Sequence, residues 1–201
     1  MKKSDIIIAF LIGGITALYF MNLFSGLTEK TPFLSPILKI LPVVFSLLSI
    51  FCLWLAYLLG KKFLFIFQLA KFLLVGTLAA IFDLGILSLF IGYSGVIAGL
   101  GFSFFKGISF IIATSAKYFA DKFWAFKKTE TSGMNREFGK FFIVTIIGLV
   151  INVAVASWIV NRVGPQFGLP PEIWANFAGI AAILVTFIWN FISYKFLVFK
   201  K

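Results

Sequence analysis

The stretch "AKYFADKFWAFKK", residues 116–128, returns in altered form as "WNFISYKFLVFKK", residues 189–201. Each copy leaves an apolar segment, passes through Lys-Phe and ends in Phe-Lys-Lys. When the two copies are aligned end to end these groups coincide, but Lys117 in the first copy corresponds to Asn190 in the second. The shared ending predicts that the chain contains two copies of one structural unit.

The chain around this repeat is too apolar for a soluble domain. Of its 201 residues, 61% are hydrophobic, and they fall in blocks of about the length that crosses the hydrocarbon core of a bilayer. We therefore predict an all-α polytopic membrane protein with six transmembrane helices, including two parallel two-helix repeats. The predicted spans are roughly residues 6–24, 37–60, 72–94, 98–121, 141–161 and 173–194.

Positive charge gathers at the two ends of the chain and at alternate connections between the spans. These residues are Lys2, Lys3, Lys61, Lys62, Lys71, Lys122, Lys127, Lys128, Arg136, Lys140, Lys195, Lys200 and Lys201. Because cytoplasmic loops of membrane proteins carry the excess of Lys and Arg, we expect both termini in the cytoplasm and the protein in the cell membrane. The net charge of +11 then reflects topology and contact with membrane lipids, not binding of a nucleic acid.

The composition leaves little material for a catalytic site. The chain has one cysteine, Cys52, no histidine and only seven carboxylates. A disulfide within one chain needs a second cysteine, and histidine is both the commonest metal ligand and the usual proton shuttle. We expect no enzymatic activity, no metal and no cofactor.

The repeat extends one apolar segment upstream of each copy of the opening stretch. Placing Lys71 over Lys140 aligns these segments and matches Asp83 with Asn152. Each repeat is therefore a hairpin of two helices, at about 66–128 and 137–201. An even number of spans in each unit makes the repeats parallel, related by an axis along the membrane normal.

A stripe of small and polar residues runs along the second helix of each repeat. In the first repeat these residues are Lys106, Ser109, Ala113, Lys117 and Ala120. Their counterparts are Gly179, Ala182, Thr186, Asn190 and Ser193. Small residues let membrane helices pack closely, which accounts for the alanines and glycines. Two lysines in the bilayer are costly, and they favour a polar partner or a wet cavity.

Asp83 is expected near the middle of the membrane, where a carboxylate must be protonated or paired. The two candidate partners are Lys106 and Lys117, of which Lys106 is closer to Asp83 in depth. Asp121 follows Lys117 by one helical turn and is a local partner for it. The matching residues of the second repeat are neutral: Asn152, Gly179 and Asn190. The two hairpins are thus expected to be alike in shape and unlike in charge.

The motifs of both repeats resemble the GtrA-like family of small membrane proteins. In that family Asn-Phe precedes a basic residue and a terminal phenylalanine, as in "NFISYKFLVF", residues 190–199. The stretch "KYFADKFWAF", residues 117–126, keeps the basic and aromatic residues with lysine in place of asparagine. "FLLVGTLAAIFD", residues 72–83, is similar to the opening helix of the family.

The resemblance covers about 66–201. We therefore divide the chain into an N-terminal two-helix transmembrane hairpin, 1–62, and a GtrA-like four-helix transmembrane domain, 63–201.

The resemblance implies translocation of a polyprenyl-phosphate-linked sugar across the cytoplasmic membrane, for cell-surface polysaccharide or cell-wall glycosylation. It also implies a membrane glycosyltransferase as partner, and the pattern is compatible with a homo-oligomer. We expect the cations of the first repeat to hold the lipid phosphate, the neutral residues of the second to supply hydrogen bonds, and the lysines at the two mouths to meet the headgroup. The predicted site residues are Asp83, Lys106, Lys117, Lys122, Asn152, Asn190 and Lys195.

Two other functions are compatible with the same pattern. One is a non-transporting accessory subunit that anchors or stabilises a polyprenyl-phosphate glycosyltransferase, and the other is an exporter of small solutes. We favour the translocase because a pure anchor has no reason to bear the cost of charges in the membrane.

Overall fold

Helices dominate the computed structural model of this chain, which describes residues 1–23, 34–96, 99–166, 168 and 171–200. Six long α-helices occur in these residues, and no β-strand does. They are α1 (Lys3–Leu23), α2 (Leu34–Gly60), α3 (Leu64–Ser94), α4 (Gly99–Ala120), α5 (Met134–Trp158) and α6 (Pro171–Ser193). The predicted all-α class is confirmed.

Five segments in the described part of the chain are long and apolar enough to cross a membrane. They are Lys3–Asn22, Leu38–Gly60, Leu64–Ser94, Met134–Val155 and Ala181–Val198. The chain is therefore a polytopic membrane protein, as predicted. α4 is not among the five segments and carries Lys106 and Lys117, so its crossing of the membrane, and with it the count of six spans, stays a prediction.

Two of the helices, α3 and α5, begin eight and seven residues before the predicted spans, at 64 and 134 instead of 72 and 141. α3 starts at Leu64 because Phe67 packs in a buried cluster with Ala9 of α1 and Leu53 of α2. α5 starts at Met134, directly after the polar loop that separates the two repeats. Apolar length alone marks the part of a helix inside the bilayer, so it misses turns that continue beyond it.

The chain divides into two compact units, Met1–Lys127 and Lys128–Lys201. In the first unit α1 and α2 approach closely at Gly13, where a Cβ atom would collide with the backbone of α2. Ser46 on α2 donates a hydrogen bond of 3.0 Å to the carbonyl oxygen of Phe10 on α1. Small residues and hydroxyl groups are the means by which membrane helices pack at short range.

A buried ion pair joins α1 to the rest of the first unit. Asp5 on α1 pairs with Lys71 on α3, and their side chains are 3% and 1% exposed. The indole nitrogen of Trp124 donates a second hydrogen bond, of 3.0 Å, to the same carboxylate. The N-terminal hairpin thus lies in the same unit as α3 and α4, and a domain boundary at residue 62 stays a prediction.

In the second unit α5 and α6 pack through aromatic and polar contacts near the start of α5. The ring of Tyr194 stacks on Phe141, with centroids 4.3 Å apart, and its hydroxyl group lies 2.5 Å from Oγ1 of Thr145. Nε1 of Trp189 donates to the carbonyl oxygen of Val144 at 3.2 Å. These contacts bury the opening turns of α5 against the end of α6.

The two copies of the opening stretch have the same backbone structure. α4 continues as a π-helical turn, Asp121–Ala125, and α6 continues as another, Tyr194–Val198, at the matching place in the aligned sequences. The residue after each turn, Phe126 or Phe199, is buried. Equivalent sequences thus form equivalent helix ends, and the origin of the hairpins in a duplicated unit stays a prediction.

Candidate functional site

Asp83 and Lys106 form an ion pair between α3 and α4. Oγ of the fully buried Ser109 donates to the other carboxylate oxygen of Asp83 at 2.6 Å. The side chain of Asp83 is 17% exposed, whereas that of Lys106 is 40% exposed. Of the two candidate partners that the sequence offered for Asp83, the structure pairs it with Lys106, and a hydroxyl group of the same stripe on α4 also binds the carboxylate.

Lys117 pairs with Asp121 one helical turn further along the chain, as its spacing predicted. The carboxylate is fully buried, and Oδ1 of Asp121 has no hydrogen-bond partner among the described residues. The ammonium group lies 4.3 Å from the centroid of the Phe72 ring, a cation–π contact with α3. The two lysines of α4 are therefore held by two separate carboxylates.

Lys122 and Lys195 occupy the second position of their π-helical turns, which is the predicted equivalence. Their exposure differs. Lys122 is fully buried, and its Nζ lies 3.5 Å from the hydroxyl group of Tyr118. Lys195 is half-buried, with Nζ 5.5 Å from the ring centroid of Phe196. A buried ammonium group does not reach a headgroup in this state, and the contact of both lysines with lipid phosphate stays a prediction.

Asn190 packs directly on Gly148 of α5. A Cβ atom at Gly148 would lie 2.6 Å from Oδ1 of Asn190, so a larger residue there would displace the amide. This oxygen is buried and has no hydrogen-bond partner among the described residues. Asn152 lies half-buried on α5, one helical turn beyond Gly148. The second unit thus offers amide groups near one face of α5.

The matched positions show how the two units differ in charge. Phe72 on α3 and Phe141 on α5 correspond when the first helices of the two repeats are aligned. Lys117 covers the ring of Phe72, whereas Tyr194 covers the ring of Phe141. One scaffold therefore holds a cation in the first unit and an aromatic hydroxyl in the second.

An apolar cavity of about 670 Å³ lies in the first unit among α1, α3 and α4. Its lining residues are Ile15, Tyr19, Val75, Leu78, Ala79, Ile81, Phe82, Gly85, Ile86, Leu89, Ala116, Lys117 and Ala120. Lys117 is the only Lys, Arg, Asp or Glu among these lining residues. The volume of the cavity is in the range of sites that enclose one small ligand.

Sequence reasoning missed the contribution of the N-terminal hairpin to this region. Asp5 was available as a signal, because it is a carboxylate at the start of an apolar helix, but its partner on α3 lies 66 residues away. Ile15 and Tyr19 carry no signal at all, since an apolar residue on an apolar helix is uninformative.

The two lysines of α4 lie at different depths along the helix, and one of them lies beside the apolar cavity. Lys106 and Lys117 are eleven residues apart, which corresponds to about 16 Å along the helix. Each has a carboxylate partner, and the apolar cavity extends beside Lys117. The arrangement suits a molecule with an anionic head and an apolar chain.

Comparison with protein families matches residues 71–199 to the family described as GtrA/DPMS, transmembrane domain. The matched range covers α3 to α6 with both repeated helix ends, and α1 and α2 precede it. Comparison with curated proteins and with solved structures gave no match. The family that the repeated motifs indicated is confirmed over more than half of the chain, and this protein belongs to the GtrA/DPMS transmembrane family.

Proposed function

We propose that this protein moves a polyprenyl-phosphate-linked sugar across the membrane. Its family supports a general role in handling polyprenyl-phosphate sugars at the membrane. The main support for transport is that Lys106 and Lys117 of α4 each pair with a carboxylate. Lys117 also lines the apolar cavity.

The energetic argument concerns the phosphate. A phosphate group inside the bilayer needs cations and hydrogen-bond donors, because no bulk water is there to solvate it. Lys106 and Lys117 supply cations at two levels, and Asp83 and Asp121 stabilise them while the site is empty. An arriving phosphate exchanges one anion for another, so the cations are never left unpaired in the membrane.

In the second unit, taken by itself, neutral amide groups bind the hydroxyl groups of a sugar in this proposal. Asn152 and Asn190 carry amide groups, and the buried Oδ1 of Asn190 has no hydrogen-bond donor among the described residues. A sugar hydroxyl group is such a donor. The protein acts on the position of the lipid and not on its bonds, which agrees with the absence of histidine from the chain.

One observation favours the accessory-subunit alternative. The buried pair of Asp5 with Lys71 joins two helices, and neither residue lines the cavity described above, so this fold also uses charge for assembly. The pair of Asp83 with Lys106 also joins two helices. If all the pairs are structural, the protein stabilises a membrane glycosyltransferase and transports nothing.

Transport in proteoliposomes separates the two functions. Purified protein is reconstituted with a labelled polyprenyl-phosphate sugar, and the label that crosses the membrane is measured. We expect Lys117→Asn and Lys106→Met each to lower the rate roughly tenfold or more, because a charge-assisted hydrogen bond contributes about 1.5–3 kcal/mol. Lys39→Met is the matched control, since this exposed lysine lies on α2 away from both pairs.

The double variant Asp83→Asn/Lys106→Met removes one pair without leaving a lone charge. Slow transport by this variant, at normal thermal stability, supports a role in holding phosphate. Wild-type rates for both the double variant and Lys117→Asn would overturn the proposal and leave the accessory function.

A further inference from the structure

The apolar cavity of the first unit is built partly by a segment outside the family match. The match begins at Lys71, whereas Ile15 and Tyr19 of α1 form one wall of the cavity. The opposite walls come from α3 and α4, which lie within the match. The N-terminal hairpin therefore completes a cavity that the family domain alone leaves open.

Contacts at one end of α1 fix this wall in place. The carboxylate of Asp5 pairs with Lys71 and also accepts a hydrogen bond from Trp124 at the end of α4. Nζ of Lys71 lies 4.9 Å from the ring centroid of Trp124 and 4.6 Å from that of Phe67. These contacts hold α1 against both helices that form the other walls. The side of α1 that lines the cavity is therefore fixed by the packing of the three helices.

The cavity is apolar along its length, with Lys117 among its lining residues at one end. The ammonium group of Lys117 contacts the ring of Phe72. Phe72 lies three residues before Val75, the first residue of α3 that lines the cavity. From Val75 to Leu89 the lining extends along fourteen residues of α3, about 21 Å. A molecule that fits this shape has an anion at one end and an extended apolar chain.

We propose that this cavity binds the prenyl chain of polyprenyl phosphate, with the phosphate at Lys117 and the chain between α1 and α3. This inference rests on the proposed function and names the part of the chain that holds the lipid tail. A water molecule occupies about 30 Å³ in the liquid, so the cavity has room for roughly 20 groups of that size. That is enough for part of one prenyl chain. A helix of another protein, about 10 Å wide with its side chains, does not fit in it.

Glycines on α3 provide a matched pair of variants. Gly85 lines the cavity, and a Cβ atom built on it meets nothing within 4 Å. Gly92 lies two helical turns further along α3, is equally open, and is not among the lining residues. Gly85→Leu fills the cavity without a backbone clash, whereas Gly92→Leu makes the same change of helix propensity outside it.

The experiment measures binding of polyprenyl phosphate without a sugar, by native mass spectrometry in detergent. We expect Gly85→Leu to weaken binding roughly tenfold or more, because each displaced methylene group of the chain loses its burial. Gly92→Leu should stay within about twofold of wild type, as an exposed site does. A photoreactive group in the chain should label α1 and α3 at Ile15 and Gly85.

A second pair tests the wall formed by α1. Ile15→Trp narrows the cavity, and Ile7→Trp makes the same change at a position on α1 that is 59% exposed. Equal affinities within both pairs would overturn the inference. So would displacement of the lipid by an equal amount of phosphatidylglycerol, because that shows a general surface for anionic lipids.

The outcomes distinguish this inference from the proposed function. Specific binding in the cavity without transport of the sugar lipid would refute translocation and leave the site intact. Normal transport by folded Gly85→Leu, with labelling elsewhere in the chain, would refute the site and leave translocation intact.

Discussion

A single pair of matched residues expresses the difference between the two hairpins. Lys117 and Asn190 occupy the same position before their π-helical turns, yet one is paired with Asp121 and the other packs on Gly148. A lysine inside a membrane needs an anionic partner, whereas an amide needs only neutral hydrogen-bonding groups. The choice between lysine and asparagine at this position therefore sets whether its neighbours must include a carboxylate.

Gly148 is the residue at which a small change should have a large effect. In Gly148→Ala the new Cβ atom would lie 2.6 Å from Oδ1 of Asn190, so the amide must leave its place between α5 and α6. We expect a loss of about 1–3 kcal/mol in the free energy of unfolding, measured in detergent, as for other overpacked sites. Gly139→Ala on the same helix meets nothing within 4 Å and should be neutral or stabilising. Equal stability of the two variants would contradict the close approach.

At the scale of elements, the helix ends are the most regular feature of the fold. The backbone N–H of Phe126 donates to Asp121 O at 2.8 Å, and that of Phe199 donates to Tyr194 O at 2.7 Å. The ring of Phe126 lies 6.2 Å from that of Phe72, and the ring of Phe199 lies 6.0 Å from that of Phe141. A π-helical turn accommodates one extra residue in a helix and so changes the direction of the side chains that follow. Here it directs a terminal phenylalanine onto the neighbouring helix in both units.

The attachment of α1 should depend on the whole ion pair and not on either charge alone. In Asp5→Asn the ammonium group of Lys71, 1% exposed, loses its carboxylate. We expect a cost of about 3–5 kcal/mol in the free energy of unfolding, with a similar cost for Lys71→Met. The double variant Asp5→Leu/Lys71→Met should recover most of this loss, which a double-mutant cycle measures. Lys3→Met, at an exposed residue of α1, serves as control, and strictly additive losses would contradict the coupling.

For the whole molecule, basic residues collect at one end of each unit. In the first unit the contacts of Asp5 bring the start of the chain, the start of α3 and the end of α4 together. In the second unit Lys128 pairs with Glu137 at 2.8 Å and donates to the carbonyl oxygen of Lys200 at 3.0 Å. The start of α5 and the end of the chain therefore also lie together. Such basic ends usually face the cytoplasm.

We accordingly predict that both termini are cytoplasmic. A reporter fused after Lys201 should be active only as a cytoplasmic protein, and one inserted after Pro165, between α5 and α6, only as an external one. The physical reason is the excess of Lys and Arg beside the helices at one end. An external signal from the fusion after Lys201 would invert the orientation of the second unit and remove the charge argument.

The class of the protein and the likeness of its helix ends follow from the amino-acid pattern alone. Apolar blocks predict membrane helices because the thickness of the bilayer sets their length. The repeated endings predicted equivalent helix ends, and the isolated charges on α3 and α4 narrowed the partners of Asp83 to Lys106 and Lys117 and named Asp121 as a local partner of Lys117. These inferences succeed because a buried charge in a membrane requires a partner, and few were available.

The contacts of the N-terminal hairpin and the position of the cavity became visible only in the folded protein. Asp5 and Lys71 are 66 residues apart, and no periodicity links them. Ile15 and Gly85 become walls of one cavity solely because α1 packs beside α3. In a chain that is 61% hydrophobic, nearly every helix face is apolar, so the pattern that reveals the buried face of a soluble helix is missing. Shape complementarity and a few long-range polar contacts then select the apolar faces that pack together. Both arise only in the folded protein.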